Sequence, residues 1–397
     1  MIAFTPTPEQ TMLQRTARDF AAAHIAPLAT RARKEGAPVD SWPWVRPMYE
    51  AGVALGLTKV FVPEAMGGLG GSCLDAVILL EELGAADVGV ASDYFAANMT
   101  MPLMMLRGGT PEQAQTFLGQ FTSHPAMVLA GAQSEPNVGG SELMMGGPDP
   151  AHGPKLRAHR DGDDYVLTGN KSAFITNALA ASHYFIIART DAAKPVMEGL
   201  TIFHIPAGTP GLSLGPRTDL IGWPLSAHAE VRIDGVRLPA SARIGQEGGA
   251  GMIFASVPEM PVCLAACFIG LARAAYDYAL AYARQRRSGG VPLIEHQAVA
   301  LKLAQMASDL HAARLCVWDA AAACETDPFA AGTFKAPLAK ARAVDVAIAN
   351  ASRCVEILGA YGVSREYEAG RYLADAWVGY ACDFTRDILH LGVARFL

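Results

Sequence analysis

The segment Asp375–Asp387, DAWVGYACDFTRD, sets a single acid, Asp383, in the middle of an otherwise mostly uncharged run. If that run is a buried helix, an ionised carboxylate within it is expensive to desolvate, so its pKa rises toward that of a useful base. The competing reading is a surface acid in a local ion pair, because Arg386 and Asp387 follow three and four residues later. Other polar side chains have ordinary explanations when taken singly. Thr176 fits a strand, Phe174 a β core, Ser134 and Glu135 a turn, and Gln297 a helix surface. Arg286, in the basic run RQRR, fits a helix-end charge that complements the C-terminal dipole. GGLGG at 67–71 looks like a phosphate loop, but no hydrophobic strand leads into a GxGxxG helix start, so it is expected to be a turn.

These side chains need a frame, and 397 residues exceed what one hydrophobic core usually absorbs. Two or three packed domains are expected. A net charge of about -6, with both signs interspersed, gives no electrostatic case for nucleic acid or an anionic membrane. The 7 cysteines show no tight metal-ligand spacing and are odd in number, which points to reduced thiols and a cytoplasmic setting. The start, MIAFTPTPEQ, has neither a basic nor an apolar leader region, and neither a signal peptide nor a membrane span is expected.

Periodicity divides the chain into an N-terminal helical domain (1–125), a central β domain (126–245) and a C-terminal helical bundle (246–397). Apolar residues recur at helical spacing from Glu9 to Glu35, Trp44 to Leu57 and Asp75 to Leu83. From Met127 the runs MVLAGAQS, YVLTG, HYFIIART, LTIFHI and AEVRI are short and turn-separated, which predicts an antiparallel sheet. Long helical patterns return at Ile253–Arg287, His296–Glu325, Thr333–Leu358 and Glu366 to the end, an antiparallel bundle. The expected class is α+β.

The order of these domains, together with QSEP, GNKSAFITNA, YARQRRSGG, EHQ, CVEILGAYG and the terminal acid segment, resembles the acyl-CoA dehydrogenase superfamily across essentially the whole chain. The resemblance implies FAD, an acyl-CoA substrate, an electron-transfer flavoprotein as acceptor, and a homotetramer. In that family a carboxylate removes the α proton of the thioester while the β hydride passes to the flavin. The resemblance makes Asp383 this base and assigns Gln133, Ser134, Phe174 and Thr176 to the flavin ring. It assigns Arg286, Ser288, Gln297, Glu356 and Gly359 to the distal part of a cofactor held by a neighbouring subunit, with Thr385 and Asp387 following the acid. Ser141 is the candidate near the pantetheine of the substrate.

This chain also departs from the family pattern. Asp383 stands where the family has glutamate, one methylene longer, and a displacement of about 1 Å can cost on the order of 100-fold in rate. Pro224 and Pro261 occupy places where relatives carry arginine, and proline cannot bind a phosphate. Asp93, in GVASDYFAANM, adds a second acid in the region that walls the acyl pocket, or caps a helix. Two acids, Asp93 and Asp383, suggest the branch acting on cyclic acyl-CoA thioesters, in which hydrogen removal extends across a ring. The alternatives are a straight-chain acyl-CoA dehydrogenase, a flavin oxidase resembling nitroalkane oxidase, and, from a different class, a non-enzymatic binding or structural protein.

Overall fold

The computed structural model describes residues 5–139, 142–143 and 147–397. Thr7 opens helix α1 (Pro8–Phe20) through a reciprocal capping box with Gln10. A π turn, Ala21–Ile25, carries the chain into α2 (Ala26–Glu35). Then come α3 (Trp42–Ala54) and α4 (Cys73–Ala86), the latter capped by Ser72 and Asp75. A second π turn, Ala91–Ala96, leads into α5 (Ala97–Gly108), and α6 (Pro111–Ser123) closes the first domain. GGLGG forms a turn in which Gly67 and Gly70 have positive φ.

The β domain holds β1 (Leu129–Ala132), β2 (Arg157–Asp161), β3 (Asp164–Asn170), β4 (His183–Arg189), β5 (Leu200–Pro206), β6 (Leu212–Arg217), β7 (Ala229–Pro239) and β8 (Arg243–Ile244). They form one sheet in the order β6-β7-β3-β2-β4-β5-β8, with β1 also beside β4. Pairing is antiparallel except where β1 and the first residue of β2 run parallel to β4. β1 reaches that position because a long excursion separates it from β2, so no hairpin fixes its direction.

The third domain begins with α7 (Ala250–Ala255) and breaks at Pro258 before α8 (Glu259–Gln285). A small hairpin of β9 (Arg287–Ser288) and β10 (Val291–Pro292) precedes α9 (Gln297–Thr326). The chain ends with α10 (Ala336–Leu358), α11 (Ala369–Ala381) and α12 (Arg386–Ala394). The expected last helix is thus two helices, broken at Cys382–Thr385.

Helix α8 is long and apolar enough to cross a bilayer by length and composition, yet 72% of its apolar window is buried within the protein. It is a core helix. A Cβ on Gly84 of α4 would stand 2.3 Å from the Cys267 carbonyl of α8, and one on Gly270 would stand 2.3 Å from the Glu81 carbonyl. These glycines let α4 and α8 approach backbone to backbone. Arg273 and Arg314 then converge on Glu81, and Arg273 and Arg18 on Glu82, which ties α1, α4, α8 and α9 together. The first domain and the bundle share one apolar core, and the β domain leans against both, leaving a cleft where the three meet.

Candidate active site

Helix α11 stops at Ala381, and the next turn is built on two consecutive residues of positive φ, Asp383 (42°) and Phe384 (73°). Asp383 therefore lies on a left-handed turn and not on a buried helix, and aspartate is one of the few L-residues that tolerates such a backbone. Lys340 of α10, which is 1% exposed, donates from Nζ to the carbonyls of Cys382 (2.5 Å) and Phe384 (2.7 Å). The lysine thus holds the carbonyls on both sides of the acid, which the interrupted helix cannot satisfy. Arg386 bonds Asp387 and Asp345, so the local ion pair to Asp383 does not form.

Two adjoining cavities meet at this turn. The inner chamber, about 80 Å³, is lined by Asp93, Met101, Met104, Phe185 and Met260. The outer slot, about 540 Å³, is lined by Gln133, Ser134, Phe174, Trp377 and Phe384. Thr176 and Asp383 line both and stand at the junction. Asp383 is exposed to the cleft, deep enough within the protein for the surrounding atoms to exclude much of the bulk solvent. Burial raises its pKa and the Lys340 ammonium partly offsets that rise. Burial in turn lowers the Lys340 pKa.

Asp93 occupies the π turn before α5, and its side chain is 1% exposed. The turn is stitched in place by Asn98, which donates to the Tyr94 carbonyl (3.0 Å) and accepts from the Leu129 amide (2.7 Å), and by Asn177, which donates to the Asp93 carbonyl (2.5 Å). Its carboxyl is pushed up to about 8, chiefly by burial, with the Ser226 hydroxyl opposing and Asp87 and Asp383 adding. It is a buried wall acid, not a cap.

Gln133, Ser134, Phe174 and Thr176 all line the outer slot. Ser134 bonds Ser172 (Oγ to Oγ, 2.7 Å), and Glu135 lies beneath it, paired with the buried Lys171 at 3.0 Å. Phe174 is 62% exposed, so it belongs to the slot wall and not to the β core. Trp377, 48% exposed, adds a second aromatic face. Thr176 sits on the loop between β3 and β4, not on a strand, and its hydroxyl lies 3.1 Å from His228 Nε2. A slot with aromatic walls and a hydroxyl- and amide-bearing edge fits a planar, tricyclic flavin ring. No group of three or more metal-ligating side chains occurs among the described residues.

Arg286, Ser288, Gln297, Glu356 and Gly359 are all exposed and line neither cavity. They cluster instead at the end of the bundle where α8 ends, α9 begins and α10 ends. There Arg286 lies over the Tyr361 ring at 5.4 Å and Glu356 pairs with Lys302. Thr385 occupies the N-cap position of α12 without a side-chain cap bond, Asp387 pairs with Arg386, and neither lines the cavities. Ser141 lies outside the described residues. Sequence reading missed Lys340, Trp377, Ser226 and His228. The only advance signal was Lys340, a charge inside an alanine-rich helical run.

Known proteins match this chain throughout its length. The models for the acyl-CoA dehydrogenase N-terminal, middle and C-terminal domains match residues 7–124, 130–236 and 248–397. The mitochondrial short-chain specific acyl-CoA dehydrogenase of Bos taurus is 34% identical over 391 residues, covering 97% of this chain and 89% of that protein. A probable acyl-CoA dehydrogenase of Bacillus subtilis is 32% identical and covers 99% of both chains. The structure of butyryl-CoA dehydrogenase from Megasphaera elsdenii superposes with a TM-score of 0.91 at 30% identity, covering 100% of this chain and 99% of that one. The chain belongs to the acyl-CoA dehydrogenase family, FAD-dependent oxidoreductases that act on CH–CH bonds.

Proposed function

We propose that this enzyme desaturates a compact acyl-CoA thioester, short or cyclic, with Asp383 as the base that takes the Cα proton. The observation that carries this reading is the position of Asp383 at the junction of a small apolar chamber and a ring-sized slot. An acyl group in the chamber puts its α carbon beside the carboxylate, and the slot on the other side fits the flavin. When bound, FAD supplies the acceptor for the β hydride. The chain's own work is to desolvate and aim the carboxylate, to hold it on the turn clamped by Lys340, and to exclude water. A thioester α proton is too weakly acidic for a free carboxylate, so polarisation of the thioester by fixed donors must carry much of the barrier.

A chamber of about 80 Å³ argues for a compact acyl group. Asp93 in its wall supports a cyclic one, because a second acid on the far side of the substrate can handle a proton beyond the β carbon. The likeness to short-chain and butyryl-CoA enzymes supports the straight-chain version of the same size. The remote cluster around Arg286 supports a homo-oligomer, a homotetramer by the family pattern, in which each cofactor is completed by a neighbouring copy. An electron-transfer flavoprotein is the proposed acceptor and the cytoplasm the proposed setting. With Pro224 and Pro261 in place of arginines, the thioester and phosphates of CoA must be gripped by other groups.

Anaerobic titration of the yellow protein with butyryl-CoA, cyclohexanecarboxyl-CoA and cyclohex-1-ene-1-carboxyl-CoA tests this reading. One of these bleaches the flavin, and product mass reports loss of two hydrogens. Asp383→Asn keeps the flavin and loses bleaching by at least about 1,000-fold. Hydrogen peroxide formation from a substrate without CoA, or normal bleaching by Asp383→Asn, would overturn it.

A further inference from the structure

His228 is buried between the chamber and the slot, and both of its ring nitrogens are engaged. Nε2 lies 3.1 Å from Thr176 Oγ1. Nδ1 is hydrogen-bonded to Ser226 Oγ and stands 3.7 Å from Asp93 Oδ2. That carboxylate oxygen is buried and makes no well-formed hydrogen bond among the described residues, and the Ser226 hydroxyl is the neighbouring donor that pulls the Asp93 pKa down. Leaving such an atom unpaired is costly, and packing alone gives no reason for it. Polar side chains therefore run in line from the wall of the acyl chamber to the flavin slot.

We propose that Asp93, Ser226, His228 and Thr176 form a hydrogen-bond relay that carries the protonation state of Asp93 to the Thr176 hydroxyl at the slot. This rests on the flavin reading given above, and His228 is a positioning residue within it. With Asp93 ionised, Ser226 donates to the carboxylate, Nδ1–H donates to Ser226, and Nε2 accepts from Thr176. A lone pair of Thr176 then faces the slot. With Asp93 protonated every donor reverses: Asp93 donates to Ser226, Ser226 to Nδ1, and Nε2–H to Thr176, whose O–H then points into the slot. The states differ by one proton, taken up from the cleft or returned to it at Thr176, while each group hands on its own hydrogen. The imidazole is neutral in both.

A donor suits a ring nitrogen without hydrogen, and a lone pair suits one that carries it. The relay thus lets one hydroxyl serve both redox states of the ring. The surroundings agree with it. Burial holds His228 down to about 4, with Arg217 adding, so an imidazolium does not form near neutrality. Asp93, pushed up to about 8, faces Asp87, Asp383, Tyr94, Cys267 and Cys382, so the nearby acids oppose its ionisation.

The test uses the purified protein labelled with ¹⁵N in histidine, read by NMR, together with the visible flavin spectrum of the holoenzyme from pH 6 to 10. The expected result is that His228 exchanges one neutral tautomer for the other near pH 8 and that the flavin band shifts at the same pH. Asp93→Asn loses both changes. His228→Asn keeps only the Nδ1 end and His228→Gln only the Nε2 end, and the flavin shift disappears in each. A single His228 tautomer across the range, a tautomer change that persists in Asp93→Asn, or a flavin shift that survives both His228 variants overturns the relay. Protein that purifies without flavin overturns the flavin reading alone, since the tautomer measurement still reports on the relay.

Discussion

Asp383, the proposed base, owes its raised pKa to its neighbours. Desolvation raises its pKa, so the reactive carboxylate is present above that raised value and is lost as pH falls through it. The rate of substrate-driven flavin reduction should therefore decline on acidification at a higher pH than an unperturbed aspartate would give. Stopped-flow bleaching as a function of pH measures this, and a decline centred on the pKa of an unperturbed aspartate contradicts it. Asp93 is shifted in the same direction by the same cause, and its shift bears on stability. Its folded pKa of about 8 exceeds the unfolded value, so the folded state holds an extra proton between roughly pH 4 and 8. The sign follows directly: stability falls as pH rises across that window. Asp93→Asn, which has no charge to desolvate, should melt higher than the parent at pH 8 and show a flatter dependence of melting temperature on pH. Differential scanning calorimetry at pH 5 and pH 8 measures both effects, and an Asn variant that melts lower at pH 8 contradicts the assignment.

At the scale of elements, the helices announce themselves through caps and periodicity, while the break that matters does not. Thr7–Gln10, Ser72–Asp75 and Thr110–Gln113 each satisfy the free amides of a helix start, and their spacing is readable from residues alone. The interruption at Cys382–Thr385 carries no proline or glycine. It exists because Lys340, more than 40 residues earlier, supplies donors for the carbonyls that a continuing helix would have bonded. Local patterns do not register such a long-range partner, so the run reads as one helix. Phe174 taken singly reads as core for a related reason, because an aromatic residue inside a β domain suggests it, and it was the family resemblance, with the cleft geometry, that assigned it to a slot wall. Ser226 and His228 were hidden because they lie on the loop that leads into β7, where no periodicity tells which side chains are buried. Lys340→Met should lower stability by about 2–4 kcal/mol, since it strands buried carbonyls while removing one desolvated charge. It should also reduce turnover by more than 10-fold through loss of the aimed carboxylate. Thermal melts and bleaching rates on one preparation measure the pair, and unchanged turnover would remove Lys340 from the site.

Across the whole molecule, the residues expected to hold one cofactor fall into two places. The ring slot lies in the interdomain cleft, and Arg286, Ser288, Gln297, Glu356 and Gly359 crowd an exposed end of the bundle. A guanidinium on that surface is well suited to a pyrophosphate brought by another copy. Arg286→Ala should then weaken FAD affinity by about 10- to 100-fold in the assembled protein, corresponding to about 1.4–2.8 kcal/mol, while leaving each folded chain intact. Flavin content after dialysis, with light scattering for mass, measures it. Full retention of flavin in an assembled Arg286→Ala protein would separate this cluster from the cofactor.

The inner chamber is walled in part by Met101, Met104 and Met260. Thioether side chains are long, unbranched and soft, so they repack around guests of different outline at little penalty. Selectivity for the acyl chain should accordingly fade gradually with size and not end at a sharp cutoff. Peroxide that enters the chamber would convert these sulfur atoms to sulfoxides and turn a pliant oily wall into a polar one.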